Sequence, residues 1–116
     1  MADAALSPYI AVSDAAAAIE FYVSVFNGEE AFRLVDPTDG RIGHAQIAFG
    51  DASMMISDAY PEFGALTPDA VGGTPVKLHL YVDDVDAVFA AATARGATEL
   101  RPVKDQFHGD RSGMLA

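Results

Sequence analysis

Cysteine is absent from the 116 residues. That excludes disulfides, thiolate-bound zinc, iron–sulfur clusters and thiol nucleophiles together, and fits a reducing, cytoplasmic setting. Basic residues are scarce: seven Lys and Arg stand against seventeen Asp and Glu, for a formal net charge of −10. A surface that acidic repels nucleic acid and anionic lipid, because both need a basic footprint. No apolar run approaches the roughly 20 residues that a membrane-spanning helix needs. The stretch Met1 to Leu6 carries Asp3 and no basic cluster, so it does not read as a secretory signal. A nucleophile elbow with Ser, His and Asp is missing, and so is a glycine-rich phosphate loop; Gly72 and Gly73 precede a strand and not a helix. What is present is apolar material for one domain, with 51% hydrophobic and 21% charged residues.

The chain reads as two similar halves. Leu6 to Val12 are apolar and β-prone and are followed by Ser13-Asp14, a helix N-cap signal. Val76 to Val82 and Asp83-Asp84 repeat that arrangement. Ala15, Ala18, Ile19 and Tyr22 form an i, i+3, i+4, i+7 stripe, and so do Val85, Val88, Phe89 and Ala92. The helices are expected to stop near Asn27-Gly28 and near Gly96. Strands are predicted over Glu30 to Val35, Ile42 to Phe49, Ala52 to Ser57, Thr98 to Val103 and Arg111 to Leu115. Pro61 to Gly73 reads as a loop between the halves. The first half is thus strand–helix–strand–strand–strand, and the second is the same with one strand fewer.

This doubled βαβββ pattern resembles the vicinal-oxygen-chelate superfamily of glyoxalase I, bleomycin-resistance proteins and extradiol dioxygenases. The likeness is carried by Pro8 to Asp14 with Phe21-Tyr22, by His44-Ala45, by Leu80 to Asp86, and by Phe107-His108-Gly109-Asp110-Arg111. That set is similar to the PhnB-like branch. The resemblance implies an α+β fold in one domain spanning 1–116: a first module over about 5–58 and a second over about 75–116. The two modules would form a cupped mixed sheet around a cavity, with the final strand missing from the second. It also implies a homodimer, whose interface would bury on the order of 1,600 Å². Metal-dependent members place His or Glu on the cavity floor. The matching positions here are Ser7, His44 and Lys77. Serine is a poor ligand and a protonated lysine has no lone pair, so no preformed metal site is expected. His44 with His79 is the fallback pair for Ni, Zn, Mn or Fe.

Strand alternation assigns the pocket. His44 and Gln46 share one face, whereas Ala45, Ile47 and Phe49 share the other and should pack under a helix. The same alternation turns Lys77, His79 and Tyr81 toward the concave side, with Tyr9 beside them. Of the adjacent Met54 and Met55, one is expected in the core and the other toward the pocket. Asp110 and Arg111 read as a local ion pair or, in the alternative, Arg111 as an anion clamp. Asp83, Asp84 and Asp86 read as helix-start carboxylates favoured by the dipole. The expected function is binding of a small, anionic molecule without a preformed metal. The alternatives are a metal-dependent lyase, isomerase or dioxygenase using His44 and His79, and metal-free acid–base catalysis by His44, His79 or Lys77. No catalytic residue is assigned.

Overall fold

Carboxylates start both long helices. Asp14 accepts the Ala17 backbone N–H at 3.1 Å, and Asp84 accepts that of Ala87 at 3.1 Å. Each satisfies one of the unpaired donors of a first turn. The computed structural model describes residues 4–116; residues 1–3, part of the N-terminal stretch read above, lie outside the described residues. The element order is β1 (Tyr9–Val12), α1 (Ala15–Phe26), β2 (Glu29–Val35), β3 (Ile42–Phe49), β4 (Ala52–Asp58), α2 (Pro68–Val71), α3 (Val85–Ala94), β5 (Glu99–Asp105) and β6 (Arg111–Leu115). A 3₁₀ turn at Pro61–Phe63 and the short α2, capped by the Thr67 hydroxyl, give the expected loop some regular structure. The chain forms two compact units, one ending at Lys77 and the other running from Leu78 to Ala116.

In the first unit four strands make a mixed sheet in the order β1-β4-β3-β2. β1 runs parallel to β4, with Tyr9 opposite Met55, and the other pairs are antiparallel. One face carries the core. Ala45 and Ile47 of β3 and Met54 and Ile56 of β4 are buried against Ala15 and Ile19 of α1. Burying a large aliphatic side chain such as Ile19, Ile47 or Ile56 contributes roughly 1.5–3 kcal/mol. The helix stripe and strand alternation expected from the sequence are the ones observed. Met54 is the core methionine and Met55 lies on the opposite face. Ile42 is also buried despite its even number, because Leu34 opposes His44 while Val35 opposes Ile42. Gly43 is the extra residue, and that bulge reverses the alternation.

The end of α1 differs in detail from expectation. Asn27, not Gly28, takes the left-handed conformation, with φ of 58°. Gly28 is needed for close approach: a Cβ there would stand 2.8 Å from Ile47 Cγ2 and 2.9 Å from Phe49 Cε1. Sequence alone cannot separate these two uses of a short residue at a helix end.

The second unit sets α3 beside the β5–β6 hairpin. Ala92 is fully buried. Gly113 plays the role of Gly28, since a Cβ on it would meet Phe89 Cε2 at 2.8 Å. The strand expected over Val76 to Val82 is not formed; among the described residues nothing pairs with it as β4 pairs with β1.

One contact ties the first unit together. The Asp58 carboxylate, at the end of β4, accepts the Ala15 N–H at 2.8 Å and the Ile42 N–H at 2.6 Å. It joins the starts of α1 and β3 to a third element. Asp58→Ala leaves two backbone donors short of a charged acceptor. It should lower unfolding free energy in urea by about 2–3 kcal/mol, with Asp58→Asn between the variant and the native chain. An unchanged midpoint would show that solvent replaces the bridge.

Candidate functional site

The sheet face away from α1 carries the chemistry. Paired residues share a face, so Phe32, Gln46, Met55 and Tyr9 form one row across four strands, and Leu34 and His44 begin the next. Large apolar side chains stay accessible here: Tyr9, Phe32 and Leu34 are 53%, 41% and 61% exposed. Beside that row lies a groove of about 540 Å³, lined by Tyr9, Leu34, Val35, His44, Tyr60 and Phe63 among others. Such a volume and an apolar, aromatic lining suit a small organic molecule.

His44 is fixed from both sides. Its ring lies 5.3 Å from that of Tyr9 and 5.3 Å from that of Phe32, tilted 48° and 42°. Its Nδ1 stands 2.9 Å from the Tyr9 hydroxyl, which also lies 3.3 Å from the Gly43 carbonyl. A pinned imidazole with one edge open to a groove can direct a hydrogen bond at a ligand.

A polar network closes one end. Arg41 stacks over the Tyr60 ring at 3.7 Å and donates to Asp39, to Glu62 and to the Ala59 carbonyl. The Tyr60 hydroxyl donates to Asp36 at 3.3 Å. Hydrogen bonds from Thr38 hold the Asp36 carboxyl below its ordinary range, helped by Tyr60 and Arg41. The hydrogen bond from Arg41 does the same for Glu62. Loss of solvent, then the neighbouring Asp36 charge, raises the Tyr60 hydroxyl. Asp36, Tyr60 and Phe63 were not singled out by sequence reasoning. Asp36 opens the turn-forming run Asp36 to Gly40, and Tyr60 and Phe63 flank the start of the stretch read as a loop.

The expected pocket residues divide between the two units. Tyr9 and His44 line the groove together. Gln46 shares their face, one pair further along, between Phe32 and Met55. Lys77 is the last residue of the first unit, whereas His79 and Tyr81 belong to the second, with their rings 4.7 Å apart. No ladder enforces alternation there, and Leu78 and Leu80 are exposed as well as Lys77, His79 and Tyr81. Arg111 makes an ion pair, but not with Asp110. It holds Asp86 at 2.9 and 3.0 Å and Asp105 at 3.2 Å. Asp110 faces His108 at 3.5 Å. The turn lets Arg111 reach back 25 residues to the helix start, which adjacency in sequence conceals.

A divalent ion needs several converging donors. Among the described residues no three His, Asp or Glu come together as a ligand set. Ser7 meets the Ser53 hydroxyl at 3.2 Å, and the neighbours of His44 on its face are Tyr9, Phe32, Leu34 and Gln46. The residues on this face do not fit a metal.

The network makes acid stability depend on Arg41. Carboxyls held below their ordinary range stabilise the fold above that range, and the stabilisation is lost as pH falls through the lowered values. Arg41→Met should therefore flatten the fall in melting temperature between about pH 5 and pH 3, relative to the native chain. Parallel pH profiles would show that the Arg41 contacts do not favour the charged carboxylates.

Comparison with known proteins agrees with the fold. Residues 4–116 match the model of the Glyoxalase/Bleomycin resistance protein/Dioxygenase superfamily. The chain is similar to the uncharacterized protein Rv0887c of Mycobacterium tuberculosis, with 44% identity over 115 residues, covering 97% of this chain and 67% of that one. In fold it is similar to protein PA1353 from Pseudomonas aeruginosa, at 23% identity and a TM-score of 0.72, covering 97% and 89% of the two chains. It is also similar to TnmS3, an antibiotic binding protein from Streptomyces sp. CB03234, at 26% identity and a TM-score of 0.65, covering 100% and 88%. The βαβββ order of the first unit, its mixed β1-β4-β3-β2 sheet and the matched family model together establish that this chain belongs to the glyoxalase/bleomycin resistance/dioxygenase superfamily.

Proposed function

We propose that this protein binds a small organic molecule in the groove beside β1, β3 and Tyr60, without a preformed metal site. The observation that carries the reading is the pinned His44 at the wall of an aromatic groove. The similarity to TnmS3, described as an antibiotic binding protein, supports binding rather than turnover. The groove favours a flat, mainly apolar ligand with a polar edge at His44. Within the superfamily the proposal extends to the PhnB-like branch, on the Phe107 to Arg111 motif. It also extends to a cytoplasmic location, in keeping with the absence of cysteine.

The working form proposed is a homodimer. β2 is a sheet edge whose residues are all exposed, Leu34 and Val35 to 61% and 54%. Bare apolar edges are normally covered. Sedimentation at micromolar concentration should give twice the chain mass, and a single monomeric species would refute the dimer.

Binding is tested by thermal shift and calorimetry over small aromatic antibiotics, phenols and aromatic acids. Ligands found should lose at least about tenfold in affinity with His44→Ala, the scale of one hydrogen bond plus ring contact. Metal analysis of chain purified without chelator should give well under one Ni, Zn, Mn or Fe per chain. Stoichiometric metal would instead favour the lyase, isomerase or dioxygenase reading.

A further inference from the structure

Building on the groove proposed above, we infer that Tyr9 sets the tautomer of His44, so that the groove presents a hydrogen-bond acceptor and selects ligands bearing an O–H or N–H donor. The Tyr9 hydroxyl has two neighbours. The Gly43 carbonyl, 3.3 Å away, can only accept. His44 Nδ1, 2.9 Å away, can donate or accept according to tautomer. The hydroxyl carries one proton. Given to Gly43, it makes that contact a hydrogen bond and frees the hydroxyl oxygen to accept from Nδ1–H. Given to Nδ1, it leaves the hydroxyl and carbonyl lone pairs facing each other at 3.3 Å. The first assignment makes both contacts favourable and the second makes one of them repulsive. His44 then carries its proton on Nδ1 and a lone pair on Nε2.

Nε2 has no partner among the described residues, and His44 lines the groove. The rest of the lining agrees with an acceptor site. Asp36 brings a carboxylate, and none of the groove-lining residues is Lys or Arg. Arg41 is held by Asp39 and Glu62. Apolar Leu34, Val35 and Phe63 supply the remaining wall. A phenol, or an aromatic amine or amide N–H, is the matching chemistry: a flat apolar body with one donor. The sequence reading instead joined His44 with Gln46, Lys77 and His79 in a donor-rich pocket calling for an acceptor on the ligand. Tyr9 is a positioning residue here; it acts on the ligand through the proton of His44.

The test separates the tautomer from binding. Long-range ¹H–¹⁵N correlation spectra of the full-length, ¹⁵N-labelled chain at neutral pH report both ring nitrogens of His44. The expected result is a protonated Nδ1 and an unprotonated Nε2, shifting toward Nε2–H in Tyr9→Phe. A native chain with Nε2–H, or with the two forms averaged, overturns the inference whatever binds. Binding is then compared for 4-methylphenol, which is un-ionised at neutral pH, and 4-methylanisole, in which a methyl ether replaces the O–H donor. The phenol should bind about tenfold or more tightly, and Tyr9→Phe should remove that preference. Equal binding of both probes overturns the donor selectivity and leaves the groove proposal standing. Binding of neither, with Nδ1–H observed, overturns the groove proposal and this selectivity with it.

Discussion

The Asp58 carboxylate sets the geometry on which the groove depends. β1 and β3 flank β4, and α1 must cross the far face of all three. Two short hydrogen bonds accepted by one side chain fix the first residue of α1 and the first residue of β3 to the end of β4. The neighbouring Ser57 lies on the groove wall, and Gly43 and His44 follow Ile42 directly. A shift of β3 against β4 by one residue would exchange faces, placing Ala45 where His44 stands. The bridge therefore works with the buried Ala45, Ile47, Met54 and Ile56 to hold His44 outward.

The two sheet faces divide the labour. The α1 face is closed by small and aliphatic residues at tight spacing, to the point that Gly28 admits no Cβ without displacing Ile47 or Phe49. The other face keeps Tyr9, Phe32 and Leu34 exposed and carries an imidazole held on both sides. Exposed aromatic surface of this kind has a cost in solubility, which the net charge of −10 offsets. Arg41, the centre of the groove-end network, is satisfied by Asp39, Glu62 and the Tyr60 ring, leaving the groove itself aromatic and mildly acidic.

Much of the scaffold was legible in local sequence. Asp14 and Asp84 cap helices because capping needs only the next three residues. The alternation in β3 and the division between Met54 and Met55 follow from a period of two. The candidate site was legible only where that alternation acts, at His44, Gln46 and Tyr9. Contacts that join distant positions left no local trace. Asp58 reaches 43 and 16 residues away, and Arg41 reaches Glu62 at a separation of 21. Phe63 falls in the stretch read as a loop, and Asp58 and Tyr60 lie between the expected strand and that loop. At Lys77, His79 and Tyr81 the alternation argument required a paired strand, and residues 76–82 have none among the described residues. Arg111 was expected to serve its neighbour and instead serves Asp86 and Asp105.

The central claim is that the His44 face of the first unit is a ligand site. Its most direct test is a titration of the ¹⁵N-labelled chain with a donor-bearing aromatic such as 4-methylphenol, followed by amide shifts. The account predicts saturable changes concentrated at Tyr9, Gly43, His44, Ser57 and Tyr60, with the core residues Ile19 and Ile47 unmoved. Changes confined to Leu78 through Asp86, or no saturable change at any residue, would contradict it.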